Sequence, residues 1–300
     1  MILTDTIDIV TKESEILKIV NYYNIFKHPL RAEEIYRFLP FHCTIDELNT
    51  DLQQLVDKGQ LYFINEHYTL KDDAKIVATK IQGEEKASEL LPKAMRVGRL
   101  LSRFPFVRFV GISGSLSKQY ADDKTDFDFF IITANNRLWI CRTLLHLFKK
   151  LTFLLGRQKY FCMNYFIDES SLEIEDKNIF VINEIATLVP VYNASAYHQF
   201  LQANHWALQQ LPHFKVNTTD ITNKQYFVKS VFEKTLGIFP LESLNQSLMN
   251  FTDRKWKRKW NKAGYPMSDY DLAFRTRINI SKNHPRNHQK IILKKFSNWL

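Results

Sequence analysis

Apolar residues recur along this chain with two periods, and the switches between them mark its elements. Leu90, Ala94, Val97 and Leu101 repeat at helical spacing, with Leu91 and Met95 alongside, which predicts one or two helices over 72–103. Gly83 interrupts that pattern, and Pro92 costs a helix interior about 3 kcal/mol, so a break or kink is expected there. Val107 to Ile112 is a short apolar run, read as a buried strand, followed by the small-residue turn Ser113-Gly114-Ser115, a short polar helix and a second strand through Thr133. Arg137 to Leu155 reads as an apolar helix and Tyr160 to Ile167 as a further strand. Beyond it come an apolar segment from Ile179, a helix near Glu184 to Leu188, a break at Pro190, and an aromatic helix from Tyr197 to Leu211. Helices from Lys224 to Leu236 and on through Leu248 follow, with a last helix at the C-terminus.

The first seventy residues carry sharper local signals. A helix from Glu15 to Tyr23 ends before His28-Pro29, because proline steers the residue before it away from helix. A second helix spans about Arg31 to Leu39, and Thr44 with Glu47 forms a Thr-x-x-Glu capping box opening a third through Leu55. Leu61 to Phe63 and His67 to Leu70 alternate about Asn65-Glu66 as two strands of a hairpin. This order resembles a winged helix. Its third helix carries Asp46, Glu47, Asp51 and Asp57 against Lys58, and such a helix is repelled by phosphates, so a packing or protein-contact role is expected rather than DNA reading.

Candidate chemistry is concentrated in residues 107–133. Asp126 and Asp128 are spaced i, i+2, which on a strand turns both carboxylates to one face and sends Phe127 and Phe129 to the other. Two adjacent carboxylates raise each other's pKa unless a cation lies between them. Mg²⁺ suits that position, since it takes one or two carboxylates plus the oxygens of a substrate phosphate. The turn before them offers a phosphate seat: Gly114 permits close backbone approach, and a helix starting near Ser115 presents free N–H groups.

A hydrophobic strand, Gly114-Ser115, ten intervening residues and Asp126-Phe127-Asp128-Phe129 resemble the signature of the nucleotidyltransferase superfamily that includes DNA polymerase beta and the aminoglycoside nucleotidyltransferases. The resemblance covers about a quarter of the chain. It implies transfer of a nucleoside monophosphate from ATP or another nucleoside triphosphate to an acceptor hydroxyl, with release of pyrophosphate. Asp126 and Asp128 would be the catalytic metal ligands, for one or two Mg²⁺ ions with Mn²⁺ able to substitute; Gly114, Ser115, Ser117 and Lys118 would contact the nucleotide. The superfamily's commoner turn continues with a glycine after the basic residue, where this chain has Gln119. Its members also place a third carboxylate on the neighbouring strand, where it ligates metal and helps deprotonate the acceptor. Alternation here puts Cys162, Asn164, Phe166 and Asp168 on one face, so Asn164 and Asp168 are the candidates; an asparagine oxygen can ligate but cannot act as a base.

Charge adds a second region of interest. Of the net +9, the excess is C-terminal: residues 220–300 hold 16 Lys/Arg against 6 Asp/Glu. Six of those cations interleave with Trp256 and Trp260 between Arg254 and Lys262. Two readings stand open: a nucleic-acid surface working through phosphates and stacking, or a solvated helix with its tryptophans turned inward. The polar turn from Ser281 to His288 can close over an anionic substrate. Three cysteines without metal-like spacing suggest reduced thiols, and the N-terminus lacks a basic start and a small-residue cleavage site. The most apolar stretch, Leu138 to Leu155, is interrupted by Arg142, Lys149 and Lys150, so no membrane span, no membrane partner and a cytoplasmic location are expected.

The expected architecture is therefore α+β: a winged-helix-like domain at 1–71, a nucleotidyltransferase-like domain at 72–216 built on a mixed sheet with flanking helices, and a basic helical region at 217–300. The acceptor stays open among small molecules, protein and RNA. The alternative is a catalytically weak or inactive relative serving as a nucleic-acid-binding or regulatory module.

Overall fold

Local signals set the first elements. The Thr44 hydroxyl accepts from the Glu47 N–H while the Glu47 carboxylate accepts from the Thr44 N–H at 2.7 Å, closing the capping box. That box opens α3 (Ile45–Asp57), preceded by α1 (Ile2–Asn24) and α2 (Ala32–Phe38). Strands β1 (Tyr62–Ile64) and β2 (His67–Thr69) pair antiparallel about Asn65 and Glu66, both at positive φ, the backbone of a two-residue hairpin whose twist matches its strands. The computed structural model describes residues 2–153, 156 and 158–299.

Helix α4 (Ala74–Leu101) runs without a break through Gly83 and Pro92, which corrects the expected interruption. Its buried stripe, including Ala87, Ala94, Gly98 and Leu101, lies on the central sheet, and that burial outweighs the proline's cost. Gly83 serves contact: a Cβ there would overlap the Tyr120 ring, and its carbonyl accepts from the Ala121 N–H at 3.0 Å.

Strand β3 (Val107–Ser113) leads into α5 (Gly114–Ser117) and then β4 (Asp128–Thr133). Next come α6 (Leu138–Phe153), β5 (Cys162–Asp168), α7 (Ile179–Thr187), β6 (Val189–Tyr192), α8 (Ala194–Ala203) and α9 (His205–Leu208). The expected end of α6 at Leu155 lies outside the described residues. Pro190, read from sequence as a break, sits in β6 at the sheet edge, where its missing N–H removes no ladder bond needed in a central strand.

The chain ends with α10 (Phe227–Leu236), α11 (Leu241–Lys262), α12 (Tyr270–Ala273), β7 (Thr276–Arg277), β8 (Ile280–Lys282) and α13 (His288–Ser297). Residues 217–300 are thus not a separate helical region. Strand β8 pairs antiparallel with β5, giving the six-stranded mixed order β6-β3-β4-β5-β8-β7, in which only β4 and β5 run parallel. Ile292 and Phe296 of α13 join the core of the first three helices, and Tyr23 donates to Asn183 of α7 at 2.9 Å, so the ends of the chain meet beside the sheet.

Helices cover both faces. Phe127, Phe129 and Ile131 point into a core shared with α4, α6 and α11; Phe130 and Ile132 point into one shared with α7 and α8. Trp256 is buried with Tyr270 and Phe274, and Trp260 stacks on Phe274 with ring centroids 4.9 Å apart, so both tryptophans of the basic segment are used in packing. Among the described residues no helix is long and apolar enough to cross a membrane.

Candidate functional site

The strand alternation of β4 sends Phe127 and Phe129 one way and Asp128 the other, towards α7. Asp128 opens β4 opposite Ser113, the last residue of β3. Asp126 lies just before the strand and is exposed, in a segment fixed by the Thr125 hydroxyl, which accepts from the Asp122 N–H at 2.7 Å and donates to the Asp122 carboxylate at 2.9 Å. The Phe127 N–H donates to the Lys159 carbonyl at 3.0 Å, so pairing reaches back almost to Asp126.

Gly114 has φ +73° and lies directly against Asp128: a Cβ built on it would stand 2.5 Å from Oδ2. Only glycine accommodates both the left-handed backbone and that approach. Helix α5 is a single turn, so it brings little macrodipole and what it presents is the first N–H groups after Gly114. Ser115 is exposed at that turn. Ser117, by contrast, is buried, its hydroxyl donating to the Gly114 carbonyl at 2.9 Å; it braces the turn and does not face outward. Lys118 also reaches the Gly114 carbonyl, at 3.2 Å, and forms an ion pair with Glu184 at 2.7 Å.

Around Asp128 the neighbours are polar and close. The Asn164 amide lies 3.4 Å from Oδ1 and 3.0 Å from the Cys162 sulfur, so the Cys162 thiol stands beside the carboxylate. Burial raises the Asp128 carboxyl to about 6; the neighbouring Cys162 thiol works against that rise, while the charges of Asp126 and Glu184 add to it. Burial likewise pushes the Cys162 thiol up to about 11, leaving it protonated at neutral pH.

Asn164 and Asp168, the two third-ligand candidates, are separated by the structure. Met163 pairs with Phe129 and Tyr165 with Phe130, so Asn164 is the extra residue of a bulge. The bulge reverses alternation beyond it: Phe166 joins the core under Phe129, and the expected common face of Cys162, Asn164, Phe166 and Asp168 does not exist. Asp168 pairs with Thr133 at the far end of β4, five residues or about 17 Å from Asp128. Fully buried, it accepts from the Asn136 N–H and from Ser170, closing a turn. Asn164 is the candidate that reaches Asp128.

One contributor was not foreseen. Glu184 is the one charged residue in the helix IFVINEIAT, and that lone acid was the available signal. The turn before α13 lies in the Ser281–His288 segment singled out from the sequence: the Asn283 N–H donates to the Asn164 carbonyl at 2.8 Å, and His288 feels the charges of Arg286 and Glu184, so this turn borders the site. Lys282 faces inward to Asp176 and Gln289 at 3.3 and 2.9 Å.

Among the described residues no three His, Cys, Asp or Glu side chains are grouped to hold a metal by themselves. Two carboxylates with an amide oxygen nearby are hard oxygen donors, and they fit Mg²⁺, which keeps several waters and completes its shell with substrate phosphate. They do not fit zinc, whose closed sites take four nitrogen or sulfur ligands. No family model, no curated protein and no solved structure matches the chain.

Proposed function

We propose that the chain is a nucleotidyltransferase-fold protein that binds a nucleoside triphosphate with Mg²⁺ at the Gly114–Asp128 junction and transfers its nucleoside monophosphate to an acceptor hydroxyl. The observation that carries this reading is the seating of Asp128 against Gly114, with Asp126 two residues away and the Ser115 turn exposed beside them. Asp126 and Asp128 would hold the metal, which when bound offsets negative charge on the attacking and leaving oxygens. The first N–H groups of α5 would receive a phosphate, and Lys118, freed from Glu184, would lie over it. Positioning and charge supply most of the rate in phosphoryl chemistry, so this chain's contribution is to align the triphosphate for in-line attack. The first three helices and their hairpin are read as a winged helix whose acidic third helix serves contact rather than DNA reading.

Incubation with nucleoside triphosphates labelled at the alpha-phosphate, Mg²⁺ and fractionated cell extract tests transfer. Label appearing in a small-molecule, protein or RNA fraction, and absent with Asp128→Asn, identifies the acceptor class; no label in any fraction removes the enzymatic reading.

One observation favours a second reading. The resemblance implies a carboxylate on this strand that helps deprotonate the acceptor, whereas the side chain beside Asp128 is Asn164, whose amide lies against Asp128 and Cys162. An amide cannot take a proton from a hydroxyl. A protein that binds nucleotide or nucleic acid without transfer has that site, and a salt titration against generic DNA and RNA separates the two: no measurable affinity at low salt removes the nucleic-acid role.

A further inference from the structure

Helix α10 is anchored by polar contacts and presents its apolar residues to water. Lys229 donates to the carbonyls of Ser102 and Val107, and Glu233 takes the Arg108 guanidinium in a fork with both bonds at 2.9 Å. With these two residues inward, Phe227, Val228, Val231 and Phe232 are exposed, Phe227 at 81%. The link to α11 continues the surface with Ile238, also 81% exposed, and Phe239.

Helix α11 then joins apolar to basic on one stripe. From Phe251, 66% exposed, helical steps lead back to Leu244 and forward to Arg254, Lys255, Arg258 and Lys262, all of them exposed. The opposite side carries Trp256 into the core. Tyr226 and Leu236 at the ends of α10 and Leu241 and Leu248 of α11 pack against the same cluster, so the outer faces of both helices turn to solvent over the same face of the sheet. Asp128 points to the other face.

Large exposed apolar patches mark interaction surfaces. A second copy of the chain would set one basic stripe against another. Nucleic acid would meet the cations, but Val228, Val231 and Ile238 have no ring to stack on bases. A bilayer with anionic headgroups provides both an apolar layer for the Phe, Ile and Val side chains and a negative surface for the cations.

We propose that the α10–α11 face attaches the protein peripherally to anionic membranes, Phe227, Ile238 and Phe251 entering the headgroup boundary and Arg254, Lys255, Arg258 and Lys262 lying on the anionic surface. The expectation of no membrane partner rested on the lack of an apolar span, whereas surface attachment needs none. The proposal is independent of nucleotide chemistry at the other face.

Co-sedimentation of the full chain with vesicles of equal parts phosphatidylcholine and phosphatidylglycerol, and of phosphatidylcholine alone, tests it. Binding is expected to the mixed vesicles only and to fall with salt. Lys255→Gln, Arg258→Gln and Lys262→Gln together are expected to weaken it about a hundredfold, at roughly fivefold per cation. Phe227→Ser with Ile238→Ser is expected to weaken it at least tenfold. These residues are exposed, and an unchanged melting temperature verifies that each variant folds. No binding to mixed vesicles overturns the proposal. So does binding that the Phe227→Ser, Ile238→Ser variant leaves intact, which marks a polyanion site of the nucleic-acid kind, and so does a dimer in light scattering that the same variant splits.

Discussion

Gly114 and Asp128, fourteen positions apart in sequence, meet so closely that a single added carbon on the glycine would lie 2.5 Å from the aspartate's Oδ2. The contact joins the two halves of the candidate site, the turn that would seat a phosphate and the carboxylate that would hold its metal. Gly114→Ala is expected to cost about 1–2 kcal/mol for the left-handed backbone alone, with more from displacing Asp128. Chemical denaturation measures the loss of stability, and nucleotide titration measures the accompanying loss of Mg²⁺-dependent binding.

The half-buried Asp128 carboxyl carries an expected pH response. Its folded value of about 6 lies above the ordinary 3.8, so between those values the fold holds a proton that the unfolded chain has released. Stability therefore falls as pH rises from about 4 to about 6, and the full penalty, up to about 3 kcal/mol, persists above that. Asp128→Asn is expected to raise the melting temperature at pH 7 and to leave it unchanged near pH 3.5. A gain equal at both values contradicts the half-buried carboxylate as its cause.

Lys118 and Glu184 form a 2.7 Å pair, which under the proposed function would hold the lysine away from an incoming phosphate. Glu184→Gln is expected to tighten nucleotide binding up to about fivefold, equivalent to roughly 1 kcal/mol, by releasing the cation and removing a nearby negative charge. Lys118→Ala is expected to act in the opposite direction. Calorimetry of both variants distinguishes this competition from a merely structural ion pair, for which Glu184→Gln would not improve binding.

Much of this architecture was legible because it depends on neighbours in sequence. The Thr44–Glu47 box, the Asn65-Glu66 hairpin and the Phe127-Asp128-Phe129 alternation each express a local rule and are found in the expected place, whereas Asp126 falls just before the strand. The rest depends on distant partners. Whether Asn164 or Asp168 reaches Asp128 was decided by one bulge in β5, and a one-residue slip reverses the face of every later side chain. Pro190 looked like a break because nothing in the sequence shows that β6 lies at a sheet edge. Strand β8 was missed because Ile280–Lys282 is too short to carry a period and finds its pairing only against β5.

Trp256 illustrates the same limit in the basic segment. It packs with Tyr270 and Phe274, and the Arg142 guanidinium lies 4.8 Å from its ring, so the tryptophan belongs to the packing that fixes α11. Trp256→Ala is expected to cost about 3 kcal/mol of unfolding free energy, read from denaturant curves. A cost near zero would return the residue to the list of surface stacking groups.

The measurement that bears most directly on the central claim is calorimetric titration of ATP, GTP, CTP and UTP, with and without Mg²⁺, into the unaltered chain and into the Asp126→Asn, Asp128→Asn double variant. The account predicts that at least one nucleotide binds, that binding requires Mg²⁺, and that the double variant abolishes it. Failure of all four to bind, or binding that the double variant retains, contradicts the assignment of a metal–nucleotide site to the Gly114–Asp128 junction.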